Sequence, residues 1–308
     1  MHRYTATPRN NKGAHMAEVE WTEIKEPQDI KLVVADMDAT LLDADGQIPA
    51  GFWPMLDRLN QKGVTFVPAS GRQYQTLQQM FSRSVRPMSF IAENGNIVSL
   101  DGNVIETHTV SRDLVKQVID ICDKAAETGE YNIGLVVCGL NAAYIQRTDE
   151  EFIAEVSKYY AKVEPVNNLR EVLDYVDEKF LKLAIFDFEP AEPMAKDLLA
   201  GIEQPYEYVL SGKHWADIMD SRVSKGEAWS YCRRRLGVGV DETAVFGDYL
   251  NDVPMFDTRA IRSPWPTPTR RCARPPPTSR RRTLRRRDPR RRPHRQVTAV
   301  QRSVTALL

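Results

Sequence analysis

Short apolar runs of strand length recur along the chain, each closed by a polar cluster: KLVVA before Asp36, VTFVPA before Ser70, SFIA before Glu93 and TAVFG before Asp248. Runs apolar on both faces suit the strands of a buried parallel sheet. Between them, residues 51–62, 72–83 and 224–236 carry helical spacing. The last of these opens on Ser224 with Glu227 three residues on, a capping-box pattern that satisfies free N–H groups of the first turn. Strand and helix alternate, which predicts an α/β layered fold.

The middle of the chain has a different rhythm. NIVSLDGNVIE at 96–106 alternates around an Asp-Gly turn and reads as a hairpin. A helix over 111–127 follows, then strands at IGLVVCG and AAYIQR, a helix near 149–160, a strand over 180–188, a helix near 191–201, and strands at YEYVLS and HWADIM. This inventory predicts an α+β domain over 105–218, inserted into a first domain made of 31–104 and 219–258.

Charge changes the picture at both ends. Residues 1–30 are polar without a sustained period and read as a flexible arm. Residues 1–258 hold 26 Lys+Arg against 41 Asp+Glu, a net of −15, while 259–308 hold 16 Arg and one acid, a net of +15. An acidic body offers nucleic-acid phosphates no attraction, so such binding is expected only non-specifically, through the tail. Eight prolines over 261–295 and few apolar residues predict a disordered tail. Its switch to lysine-free, Arg/Pro-rich text resembles a reading-frame change near 258–260; a genuine basic tail is the alternative. Four scattered cysteines suit neither a disulfide framework nor zinc. No apolar run is long enough to span a membrane, and the expected location is the cytoplasm.

The densest chemistry is VVADMDATLLD, where a strand ends in Asp36 and a second carboxylate, Asp38, follows two residues later. Alone, that pair is as well read as a soluble turn, Ser70 in PASGR as a helix cap, and Lys225 in VSKGEAW as a solvated surface charge. Ser70 with Arg72 beside it, Asn94 in AENG, and Asp248, Asn251 and Asp252 in FGDYLND all follow strand-like runs, however, and ligand sites of open α/β sheets gather at the carboxyl ends of strands. Carboxylates with open positions suit Mg²⁺, and Ser, Asn and Lys side chains suit phosphoryl oxygens.

DMDAT, ASGR, SKGEA and GDYLND, in this order and spacing, resemble the Cof-type branch of the haloacid dehalogenase superfamily, over residues 31–258. The resemblance implies a Rossmann-like core with an inserted α/β cap, and Mg²⁺-dependent hydrolysis of a small phosphorylated metabolite. It implies Asp36 as nucleophile and metal ligand, and Asp38 as acid/base residue whose carbonyl also meets the metal. Thr40 would hold the loop beside the phosphate, Ser70 and Asn251 would bind phosphoryl oxygens, Lys225 would neutralise charge, and Asp248 would complete the metal site. Asp252 would orient Lys225 or a metal-bound water, with Asn94 and Arg72 in support.

Ala39 departs from the family's usual Gly, which is tolerable only at negative φ. After Asp257 the family's further strand and closing helix have no counterpart. That predicts a bare sheet edge at TAVFG, an exposed apolar face around Val253, Met255 and Phe256, and a tail that does not pack. On the last strand of the insertion, His214, Trp215 and Asp217 are candidate substrate contacts. The competing functions are a phosphomutase of the same superfamily and an inactive domain whose tail binds nucleic acid or acidic partners.

Overall fold

The computed structural model describes residues 29–256 and the backbone of Ile261–Arg262. Nearly all of the expected arm and tail, Cys272 included, lies outside these residues.

The chain enters a seven-stranded sheet through β1 (Leu32–Asp36), followed by α1 (Phe52–Gln61), β2 (Thr65–Ala69), α2 (Tyr74–Met80), β3 (Phe90–Ala92), β4 (Ile97–Leu100) and β5 (Asn103–Thr107). It returns through α6 (Lys225–Leu236), β12 (Thr243–Phe246) and β13 (Ile261–Arg262). The order is β13-β12-β1-β2-β3-β4-β5, parallel from β13 to β3 and antiparallel beyond. The alternating apolar runs explain the layers. Val33 and Ala35 of β1 face a core with Phe52, Leu59, Leu77 and Phe81 from α1, α2 and its end, while Leu32 and Val34 face Trp229 and Cys232 of α6. A strand buried on both faces needs the continuous apolar text that KLVVA supplies.

Between these halves lie α3 (Arg112–Thr128), β6 (Ile133–Gly139), β7 (Ala143–Ile145), α4 (Glu150–Val156), β8 (Val163–Pro165), β9 (Phe180–Asp187), α5 (Ala191–Leu198), β10 (Tyr206–Gly212) and β11 (Trp215–Asp220). Their six strands form a second sheet, β10-β11-β9-β6-β7-β8, antiparallel except for β7 with β8. Leu183, Ile185, Ala216 and Ile218 point to one face, under α3 and α5, while Ala184, Phe186 and Trp215 point to the other. The limits expected for the insertion, 105 and 218, fall inside β5 and β11; the chain leaves the first sheet after Thr107 and the second after Asp220.

Three local expectations need correction. β8 and the tight turn at Leu169–Asp174 were not anticipated, because each is too short to show a period. Met255 is fully buried rather than part of an exposed face, since it packs with Trp229, Cys232 and Val245, and Phe256 is partly covered; of the three, Val253 alone is exposed. The edge of β12 is not bare either: Ala244 pairs with Ile261 and Val245 with Arg262, so the chain resumes the parallel ladder inside the expected tail.

Candidate active site

Both β1 and β12 run out of apolar residues at the same edge of the sheet, and the polar residues that follow them meet there. Asp36 ends β1 and is buried. The turn after it, Met37–Leu41, holds Ala39 at φ 57°, so the condition for a cost-free alanine is not met. A non-glycine residue there costs about 1–3 kcal/mol unless its surroundings hold it. They do: Leu42 N–H bonds the Met37 carbonyl at 2.8 Å, and the Thr40 hydroxyl donates to Asp248 Oδ1 at 2.9 Å. Thr40 is thereby spent on Asp248, tying the turn after β1 to the loop after β12.

Lys225 is 1% exposed. Ser224 caps α6 by accepting from Glu227 N at 3.1 Å, as the capping-box spacing predicted, and this places Lys225 at the first helical position, aimed at the sheet edge. Its ammonium donates to Asp36 Oδ1 at 2.6 Å and to Asp252 Oδ1 at 2.7 Å. Asp252 is held from its other oxygen by the N–H groups of Asp248 and Tyr249, at 2.9 and 3.0 Å. Gly226 allows this approach, since a Cβ there would lie 2.4 Å from the Pro254 carbonyl oxygen. Burial pulls the lysine's pKa down, but the carboxylates of Asp252 and Asp36 outweigh it and the net shift is upward. Asp36 is pushed well up, first by burial and then by Asp252, with Lys225 opposing; burial also pushes Asp248 up.

Oxygens of Asp36, Asp248 and Asp252 lie within 4.8 Å of one another. Three carboxylates facing one ammonium leave an excess of negative charge, and the donors are all hard oxygens, so the residues fit a small divalent cation. The Asp38 side chain stands apart from this group. It is gripped by Arg72, whose Nε and Nη2 donate to its two oxygens at 3.1 and 2.6 Å. The guanidinium also donates to the Lys158 carbonyl and lies 4.8 Å from the Tyr159 ring centre, so residues of the second sheet's layer help place it.

Asp36, Asp38, Arg72, Lys225, Asp248 and Asn251 line one cavity of about 170 Å³, together with Tyr159, Trp215 and Lys213 from the inserted segment. Three expected residues stand behind the wall. Ser70 is buried and its hydroxyl accepts from Arg72 N at 3.1 Å; Asn94 is buried and joins Asn251 at 3.0 Å; Asp252 braces Lys225. Of the candidate substrate contacts, Trp215 and Asp217 line the cavity, but Asp217 is already engaged by Lys182 and Asn94. His214 is not among the lining residues. Its Nδ1 lies 2.9 Å from the carbonyls of Asp187 and Glu189. Sequence reasoning missed Tyr159, Tyr249, Lys213 and Lys182; only Lys182 carried a signal, as a lone charge inside the apolar run LKLAIF.

Residues 33–261 match the family of haloacid dehalogenase-like hydrolases. The chain belongs to that family. The 5-amino-6-(5-phospho-D-ribitylamino)uracil phosphatase of Escherichia coli (strain K12) is 28% identical to it over 230 residues, which cover 74% of this chain and 82% of that protein. A solved haloacid dehalogenase-like hydrolase from B. subtilis shares the fold with a TM-score of 0.66 at 20% identity, over 75% of this chain and 87% of that one. A solved subclass IIB sugar phosphatase of the superfamily does so with a TM-score of 0.62 at 20% identity, over 75% and 85%. The hydrolase is thus a phosphoric monoester hydrolase of the Cof-type branch, as its four motifs suggested. None of its described helices is long and apolar enough to cross a membrane.

Proposed function

We propose that this hydrolase releases phosphate from a small phosphorylated metabolite through an aspartyl-phosphate on Asp36, with Mg²⁺ as cofactor, in a catalytic unit of residues 31–107 and 221–256 under a cap of residues 108–220. The observation that carries the reading is the meeting of Asp36, Lys225 and Asp252 within 2.7 Å contacts at the ends of β1 and β12, with Asp248 in the same carboxylate group. An Asp36 oxygen forms a bond to phosphorus, and the ester oxygen leaves with its electron pair and takes a proton from Asp38. Asp38 then takes a proton from water, whose oxygen attacks phosphorus and restores the Asp36 carboxylate with release of phosphate.

Lys225 opposes the burial that disfavours the charge of Asp36. Arg72 holds the Asp38 carboxylate over the cavity. Asn251, and Ser70 through the loop it braces, serve the phosphoryl oxygens. Asp36, Asp248 and the Asp38 carbonyl would hold Mg²⁺, which supplies positive charge to the transferred group. The small cavity with its aromatic wall suits a compact leaving group.

Asp36→Asn should abolish Mg²⁺-dependent phosphate release from an aryl phosphate and covalent phosphate labelling together. Asp38→Asn should slow turnover by about 10²–10⁴-fold, the worth of a positioned proton carrier. Full turnover by Asp36→Asn would refute the assignment.

A further inference from the structure

A second buried lysine stands in the lining of the same cavity. Lys182 is 1% exposed in the middle of β9, and the two-residue period that sends Leu183 and Ile185 into the core under α3 turns it toward the junction of the two sheets. Its ammonium donates to the Gly71 carbonyl and to Asp217 Oδ2, both at 2.8 Å, and lies 3.1 Å from Glu93 Oε2. The same Asp217 oxygen accepts from Asn94 Nδ2 at 2.5 Å, and Asn94 Oδ1 accepts from Asn251 Nδ2 at 3.0 Å. An unbroken chain therefore runs from the second sheet to the wall of the cavity.

The turn that carries Asn94 is held against its backbone preference. Glu93 and Asn94 stand at φ 52° and 59°, followed by Gly95 at 109°, where a Cβ would lie 2.7 Å from the Ser224 carbonyl oxygen. Glu93 N–H bonds the Arg72 carbonyl at 3.0 Å and Asn94 N–H bonds the Ser70 carbonyl at 2.9 Å, fixing the strained turn to the SGR loop. Two consecutive left-handed non-glycine residues persist where the surroundings over-determine them, and such strain gathers at functional sites.

The chain also has a direction. An ammonium only donates and an ionised carboxylate only accepts, whereas an amide can face either way. Asp217 therefore compels Asn94 to present its NH₂ inward and its oxygen to Asn251. That oxygen in turn compels Asn251 to present its own NH₂, leaving one N–H for the cavity. Reversed, Asn251 would offer a carbonyl oxygen, which repels a phosphoryl oxygen.

Resting on the phosphatase reading above, we propose that Lys182 and Asp217 are positioning residues for phosphate binding, fixing the orientation of the Asn94 and Asn251 amides from the second sheet. The test is the affinity of the full chain for inorganic phosphate in the presence of Mg²⁺, by calorimetry, with thermal melting alongside. Asp217→Ala should weaken phosphate binding roughly tenfold, the worth of one misdirected buried hydrogen bond. Asp217→Asn should regain most of the affinity, to within about threefold of the parent, because Lys182 still dictates which end of the new amide faces Asn94. Lys182→Met combined with Asp217→Asn leaves the parent's net charge unchanged, yet frees that amide to turn, and should lose affinity as Asp217→Ala does. This pair of variants carries the test if Asp217→Ala does not fold. Equal phosphate affinity in all variants, with only melting lowered, would overturn the proposal. Failure of the parent chain itself to bind phosphate would overturn the phosphatase reading instead, and the proposal with it.

Discussion

Lys225 and Lys182 are both 1% exposed, and each faces two carboxylates, yet they occupy unlike surroundings. Lys225 opens a helix at the ends of two parallel strands, beside a third carboxylate, Asp248, and an open cavity. Lys182 sits mid-strand between two sheets, and its partner Glu93 has no well-directed hydrogen bond on either oxygen. For both lysines burial alone would lower the pKa, and the paired carboxylates more than reverse it, so both keep their charge. The first cluster can exchange charge with what enters the cavity. Lys182 and Asp217 of the second also line that cavity, but their charges are engaged by each other, by Glu93 and by Asn94.

The largest effect should come from opening the first cluster. Lys225→Met leaves Asp36 and Asp252 without their cation, and should cut turnover by about 10²–10³-fold, as removal of one electrostatic stabiliser does. It should also destabilise the metal-free protein by about 3–5 kcal/mol in urea unfolding. Adding Mg²⁺ should restore part of that stability, because the remaining carboxylates still offer oxygen ligands. Lys182→Met should destabilise by a similar amount, about 3–5 kcal/mol, for the same reason. Mg²⁺ should restore none of the part due to Glu93 and Asp217, which lie outside the carboxylate group at the cavity. Equal recovery in the two variants would erase the distinction between a cluster that can take a cation and one whose carboxylates are already engaged.

A smaller effect concerns pH. Burial raises the Glu93 pKa above its ordinary 4.5, with Lys182 opposing. Between 4.5 and that raised value the folded protein keeps a proton that the unfolded chain gives up, so this contribution to stability is full below 4.5 and falls as pH rises through the window. Glu93→Gln should flatten that fall, measured as melting temperature against pH. The smallest effect belongs to an exposed pair: Lys31 donates to Glu242 at the surface, and Glu242→Ala should hardly move the melting temperature.

Much of the first cluster was legible in the sequence, because local rules produce it. KLVVA and TAVFG are apolar on both faces, which suits strands of a buried parallel sheet, and in such a sheet the strand ends gather at one edge, as Asp36 and Asp248 do. The capping box at Ser224 and Glu227 starts α6 and therefore points Lys225. Each of these is a consequence of a few neighbouring residues.

Other features depended on contacts between residues distant in sequence. The left-handed φ of Ala39 is imposed by a turn tied to Asp248, 209 positions away from it in the chain's numbering, through Thr40. Met255 looked exposed because the sequence shows no closing strand and helix after it, and only the approach of α6 and β12 buries it. Asp217 looked like a substrate contact, being polar and close to Lys225 in sequence. Its partners come from β9 and from the strained turn after β3, elements no local pattern brings together. The sequence by itself determined which strand ends carry the clustered carboxylates, since runs apolar on both faces suit buried parallel strands and such strands end at one edge of the sheet. The tertiary structure decided which polar side chains face the cavity and which are consumed behind it, because a hydrogen-bond partner supplied by another sheet leaves no trace in the residues on either side.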